Sequence, residues 1–181
     1  MIDRIRGGDR KAFDLMQDGL EGDARRFIWR LLGDFTLAEE LSQEAFLALY
    51  ISIRNGNPIK SLRPFLYRII RNLCYDELRR RRRIRFISLD DALTGGVTIQ
   101  GATDRLPEQA LLAHSLYREV HEALDQLSEL HRQVLILHYL EELSYEEIAQ
   151  AMGSDIGTVK SRLHYAKRNL RKLLGHGRQA K

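Results

Sequence analysis

The stretch Leu143-Ser144-Tyr145-Glu146-Glu147-Ile148-Ala149-Gln150-Ala151-Met152-Gly153-Ser154-Asp155-Ile156-Gly157-Thr158-Val159-Lys160-Ser161-Arg162-Leu163 decides how the chain is read. Ser144 and Glu147 have the spacing of a capping box, in which each side chain satisfies the other's backbone N–H. Such a cap stabilises a helix start by about 1 kcal/mol. Ile148, Ala149 and Met152 then share one side of a short helix, Tyr145 to Met152. Gly153 permits a sharp left-handed turn. Asp155 suits the cap of a second helix, Gly157 to Leu174, with Val159, Leu163, Ala166 and Leu170 on its inner side. Thr158, Lys160, Ser161, Arg162, His164, Tyr165 and Arg168 lie on its outer side and flanks. A capped short helix, a glycine turn and a second helix with a polar, basic face is a helix-turn-helix layout. From Asp155 onward the chain carries Lys160, Arg162, Lys167, Arg168, Arg171, Lys172, Arg178 and Lys181 against the single acid Asp155. That face suits duplex phosphates, and its Ser, Arg, Tyr and His tips suit base edges. A solvated basic helix, or one lying on a membrane surface, would carry the same charge. A membrane helix would want a broader apolar face and has no use for the capped helix and turn before it.

Working outward, apolar residues recur at three- and four-residue steps almost everywhere, which predicts an all-α chain. Residues 84–107 break the pattern with Gly95, Gly96, Gly101 and scattered Thr, Ser and Asp. They read as a flexible linker between two small helical domains, residues 1–83 and 108–176, with a tail at 177–181. In the first domain the pattern predicts helices at Arg10 to Met16, Asp23 to Leu32, Leu37 to Ile53 and Ser61 to Arg83. Gln17-Asp18-Gly19-Leu20-Glu21-Gly22 separates the first two. In the second domain helices at Glu108 to Leu127 and Glu129 to Leu140 precede the helix-turn-helix. The formal charge is +4 and 44 % of residues are apolar, enough for real cores. The single cysteine, Cys74, rules out an internal disulfide and reads as core rather than as a redox sensor. No secretory leader and no membrane span is visible, which points to the cytoplasm.

Two further helices carry polar chemistry. On the helix beginning at Ser61, Leu62, Leu66, Ile69, Ile70 and Leu73 make one face, and Arg68, Arg71, Asn72, Tyr75 and Arg79 make the other. Aromatic rings interleaved with arginine suit unpaired bases, which stack without a duplex groove. The run Arg79 to Arg83 adds phosphate affinity, or is a solvated helix end favoured by the helix dipole. Leu31 to Ile53 is opposite in sign: no Lys or Arg, but Asp34, Glu39, Glu40 and Glu44. An acidic helix in a DNA-binding chain is suited to a basic protein partner.

These three stretches resemble a known family. Leu37-Ala38-Glu39-Glu40-Leu41-Ser42-Gln43-Glu44-Ala45-Phe46 is similar to the polymerase-binding helix of bacterial sigma factors. Phe65-Leu66-Tyr67-Arg68-Ile69-Ile70-Arg71-Asn72-Leu73-Cys74-Tyr75-Asp76-Glu77-Leu78-Arg79-Arg80 resembles the helix that reads the −10 element. Leu143 to Ala149 with Gly157 to Leu163 resembles the domain that reads the −35 element. Together, in this order, they resemble the extracytoplasmic-function (ECF, group IV) sigma factors. The resemblance implies a chain that binds core RNA polymerase, recognises promoter DNA and helps open it. By the same resemblance Glu39, Glu40, Gln43 and Glu44 meet the polymerase. Arg63, Tyr67, Arg68, Arg71, Asn72, Tyr75, Asp76, Arg79 and Arg80 meet the −10 strand. Thr158, Lys160, Ser161, Arg162, His164, Tyr165 and Arg168 meet the −35 duplex. An anti-sigma factor is the expected regulator. Tyr165 departs from the arginine the family commonly places there.

No nucleophile–base motif or phosphate-cradling glycine loop is present, so the chain does not read as an enzyme, and no cofactor is implied. The six histidines do not cluster with other ligands, so no metal is expected. Two other functions remain open from the residues alone. One is a DNA-binding regulator that does not melt DNA. The other is a sigma mimic that sequesters an anti-sigma factor without touching DNA.

Overall fold

A computed structural model describes residues 1–88, 119–120 and 122–177, and every regular element in it is a helix. The elements are α1 (Ile2–Arg6), α2 (Arg10–Leu32), α3 (Phe35–Arg54), α4 (Leu62–Ser88), α5 (Glu129–Tyr139), α6 (Tyr145–Met152) and α7 (Ile156–Gly177). Residues 122–125 add helix ahead of α5.

Local chemistry sets the element ends. The Asp9 carboxylate accepts from the Ala12 N–H at 3.0 Å and starts α2. Gly33, at φ 70°, ends it in the left-handed conformation that glycine adopts freely. Asp34 then accepts from the Leu37 N–H at 3.0 Å and starts α3. A connection of two residues makes α2 and α3 neighbours. Pro64 falls in the first turn of α4, where its missing N–H costs no helical bond.

The N-terminal core joins Ala12, Met16, Ala24, Phe27, Ile28 and Leu31 of α2 to Leu41, Ala45, Phe46, Leu49 and Ile53 of α3. Leu66, Tyr67, Ile70 and Cys74 of α4 complete it. Phe27 meets the Tyr67 ring edge to face, with centroids 5.0 Å apart. The C-terminal core is built from Val134 to Leu137 of α5, Leu143 just ahead of α6, Ile148 and Met152 of α6, and Val159, Leu163 and Ala166 of α7. The two cores form one contiguous apolar cluster, because α4 also lies along α6.

Three expectations are corrected. The interruption at residues 17–22 does not exist: α2 runs unbroken through it. Ala12, Met16, Leu20, Ala24, Phe27 and Leu31 form a continuous stripe at three- and four-residue steps, and its burial outweighs the cost of two glycines. Helix α4 continues to Ser88, so the first five residues expected in the linker are helical. Helix α7 continues to Gly177, past the expected end at Leu174. The rest of the expected linker, the start of the helix placed at Glu108 and the last four residues lie outside the described residues.

A Cβ built on Gly19 meets nothing within 4 Å. Gly19→Ala should therefore stabilise the chain by about 0.5–1 kcal/mol in urea unfolding, the helix-propensity difference alone. Phe27→Ala should cost about 3–5 kcal/mol in the same assay.

Candidate functional site

The C-terminal surface follows the sequence reading closely. The Ser144 hydroxyl accepts from the Glu147 N–H at 3.2 Å, and Glu147 accepts from the Ser144 N–H at 3.0 Å. Gly153 turns at φ 61°. Asp155 accepts from the Thr158 N–H at 2.7 Å and from its hydroxyl at 2.6 Å, which fixes the start of α7. With Val159, Leu163 and Ala166 buried, Lys160, Ser161, His164, Tyr165 and Arg168 all face solvent. Arg168 lies over the Tyr165 ring at 5.0 Å, and Lys160 lies 5.9 Å from the Tyr145 ring centre. Arg162 and Thr158 are half-buried. The Thr158 hydroxyl is turned back onto its own cap rather than outward.

On α4, Arg68, Asn72, Asp76, Arg79 and Arg80 are exposed. Of the nine residues expected there, Arg63, Tyr67 and Arg71 are turned into the fold, and Arg80, though exposed, is tied to Glu77. Tyr67 is only 2 % exposed, and its hydroxyl donates to the Glu141 carboxylate at 2.5 Å. Burial first, and then Glu141, push its ionisation well above the usual tyrosine range. Arg63 reaches towards Asp23 (3.7 Å) and Glu141 (4.0 Å). Arg71 is half-buried: Nη1 donates to the Met152 carbonyl at 2.6 Å, and its guanidinium lies 5.6 Å from the Tyr75 ring centre. Burial lowers the Arg71 pKa. Arg80 folds onto Glu77 through two hydrogen bonds, at 2.6 and 3.0 Å. Arg81 also donates to Glu77, and these arginines hold the Glu77 carboxyl below its ordinary range. Helical period put Arg71 on this surface and the resemblance put Arg63, Tyr67 and Arg80 there. The C-terminal domain and the neighbouring acids claim these flanks, which neither reading could weigh.

On α3, Glu40, Gln43 and Glu44 face outward together. Glu39 lies to the side, where Arg25 Nη1 donates to it at 2.5 Å.

Residues 16–84 match the Sigma-70 region 2 family, and residues 117–170 match Sigma-70 region 4. The chain is 31 % identical over 176 residues to the ECF RNA polymerase sigma factor SigW of Bacillus subtilis (strain 168), covering 96 % of this chain and 94 % of that protein. The chain belongs to the ECF sigma factors. A second relative, the RNA polymerase sigma-H factor of Pseudomonas aeruginosa, is 31 % identical and covers 96 % of this chain and 92 % of its own. Among solved structures, the sigma factor RpoE in complex with the anti-sigma factor NepR from Bartonella quintana superposes with a TM-score of 0.71 at 28 % identity. It covers 91 % of this chain and 98 % of that one. As a sigma factor, the chain is a promoter-recognition subunit for transcription initiation.

Sequence reasoning missed several residues of this sigma factor. Leu47 (59 % exposed) and Ile51 (48 %) continue the outward face of α3 one and two turns beyond Glu44. Their spacing from Glu40 and Glu44 was the available signal. Phe35 is exposed and stacks on Trp29 with centroids 4.9 Å apart. Glu141, 3 % exposed, was missed entirely; an acid pair between Leu140 and Leu143 at a helix exit was its only trace. Among the described residues, no group of three or more His, Cys, Asp or Glu is arranged to hold a metal, and no helix is long and apolar enough to cross a membrane.

Two measurements follow. The Asp155 carboxyl should titrate below its ordinary range in an NMR pH series, the hydroxyl of Thr158 being the larger cause and its N–H the next. Because the folded value is depressed, the cap stabilises the fold above the unfolded carboxylate pKa and is lost as pH falls through the folded one. Thr158→Val should bring the Asp155 value part of the way back. Cys74 is fully buried, and burial pushes its thiol up to about 12. Iodoacetamide should leave it unlabelled in the folded chain and label it once urea unfolds the domain.

Proposed function

We propose that this chain is a group IV sigma factor that acts in the cytoplasm, catalyses no reaction itself and divides its work among three helices. The observation that carries the reading is the segregation of charge. Helix α3 presents Glu40, Gln43 and Glu44 outward, while α4 and α7 present arginines and lysines on separate faces. The outward face of α3 docks on core RNA polymerase, with Leu47 and Ile51 extending the contact beyond the acids. Glu39, paired with Arg25, contributes at its edge.

Helix α7 enters the −35 major groove. Lys160, Arg162 and Arg168 take phosphates, while Ser161, His164 and Tyr165 face base edges, with Thr158 at the helix start. Helix α4 takes the −10 strand after it separates. Arg63, Arg68, Arg71, Arg79 and Arg80 grip the backbone. Tyr75 supplies a ring, Tyr67 supplies its hydroxyl, and Asn72 and Asp76 supply hydrogen-bonding tips. Binding to the unpaired strand offsets the cost of unstacking, a few kcal/mol per base. The first domain runs to the end of α4 and the second to the end of α7, joined by the linker between them. An anti-sigma factor holds the chain inactive, as suits a relative solved with one.

The test is transcription. Mixed with core polymerase, the chain should initiate specifically from a promoter selected out of random DNA. A folded chain that binds core yet initiates from no selected sequence would favour a sequestering mimic. Glu40→Lys should weaken core binding and leave binding to −35 duplex unchanged. Arg168→Ala should weaken binding about equally across duplex sequences and lower the salt slope by about 1, read by fluorescence anisotropy over a salt series.

A further inference from the structure

Glu141 lies in the turn after α5, and nothing in the promoter-reading scheme uses it. It is a carboxylate 3 % exposed, and such a group is stable only when paired. Its partners all come from the N-terminal domain. Tyr67 Oη donates at 2.5 Å and Arg30 Nη1 at 2.8 Å, and Arg63 Nη2 stands 4.0 Å away. The turn is shaped for this reach. Glu142, the next residue, holds φ 54°, a conformation that costs free energy in any residue but glycine. Further along the same interface, Arg71 Nη1 donates to the last carbonyl of α6 at 2.6 Å, but Arg71 Nε is buried with no hydrogen-bond partner. This contact is therefore imperfectly satisfied.

Charge around Glu141 decides what happens if it leaves. Arg30 and Arg63 bring two positive charges, and Asp23, 3.7 Å from Arg63, brings one negative that it shares with Arg26. With Glu141 in place these five groups carry one positive charge in excess. Without it, the guanidinium groups and a phenol hydroxyl remain with two in excess, in a partly desolvated recess. That is an anion site, and its geometry suits a tetrahedral oxyanion as well as a carboxylate. Arg63 and Tyr67 lie on the same helix as Arg68, Arg71 and Asn72.

We propose that Arg30, Arg63 and Tyr67 form an anion cradle that Glu141 fills when the two domains are closed and a backbone phosphate of single-stranded DNA fills when they open. Closing and strand capture are then mutually exclusive, because both use Arg63, Tyr67 and Arg71. The proposal rests on the reading of α4 as the −10 surface. It adds Arg30, on α2, to that surface, and it gives Glu141 the role of an internal stand-in for phosphate.

The full chain tests it without polymerase or promoter, so its failure is distinct from failure of the sigma reading. Small-angle X-ray scattering reports opening. Anisotropy of a short fluorescein-labelled single-stranded DNA of mixed sequence reports strand capture. Glu141→Gln keeps the shape and removes the charge. It should raise the radius of gyration and tighten strand binding about tenfold, the factor expected if roughly one chain in ten is open beforehand. Arg30→Ala should also open the chain but should not tighten strand binding, since the cradle itself has lost a donor. Thermal unfolding checks that each variant folds. Should Glu141→Gln fail to fold, Tyr67→Phe, which keeps the packed ring and removes one donor, replaces it in the scattering arm. Two results would overturn the proposal. One is an unchanged radius and unchanged strand affinity in folded Glu141→Gln. The other is equal tightening by Glu141→Gln and Arg30→Ala, which would make Glu141 a simple latch and leave no phosphate site behind it.

Discussion

A buried carboxylate holds this molecule in its closed shape. Taking the charge of Glu141 out of water costs several kcal/mol unless donors replace its hydration. Tyr67 and Arg30 supply them from two different helices of the other domain. The interaction is thus directional in a way that the apolar contact of α4 with α6 is not. Hydrophobic burial alone would let the two domains slide over one another. A carboxylate that must meet a hydroxyl and a guanidinium permits one register. The seating of α6 on α4 follows, with Arg71 against the end of α6 and Arg68 and Asn72 left in water.

The electrostatic layout follows from the order of helices along the chain. Helix α3 gathers its acids on the side turned away from the core, and α7 gathers its bases opposite Val159, Leu163 and Ala166. At physiological salt a charge is felt over only about 8 Å, so each surface acts on what touches it and little beyond. Surfaces of opposite sign can then coexist on one small chain. The inward-turned pairs do different work. Glu77 with Arg80 and Arg81, and Arg25 with Glu39, fasten neighbouring residues and helices.

What the sequence made legible was local. The capping box at Ser144, the Asp155 cap and the buried side of α7 depend on residues within a turn or two of each other, and all three stand as read. The outward direction of Glu40, Gln43 and Glu44 is equally a matter of helical period. What stayed illegible was tertiary. Two glycines at 19 and 22 look like a break, and only the stripe of packing partners beneath them shows why α2 continues. Tyr67 lies three and seven residues from the buried Ile70 and Cys74 and packs on Phe27, but the partner of its hydroxyl, Glu141, comes from some seventy residues further along the chain. Glu141 itself has no periodic signature, since a turn residue beside another acid carries no face. Both features belong to the contact between domains, which no window of sequence spans.

The half-buried setting of Arg71 beside Tyr75 has one more consequence. A flat ring under an arginine accepts any unpaired base, ribose or deoxyribose, because every base offers the same face for stacking. In a cell the commonest unpaired nucleic acid is RNA. A chain that left this platform open at all times would be drained onto transcripts, which greatly outnumber melted promoters. On the proposed reading of α4, the Met152 carbonyl that holds Arg71 keeps this platform from any unpaired strand in the free chain.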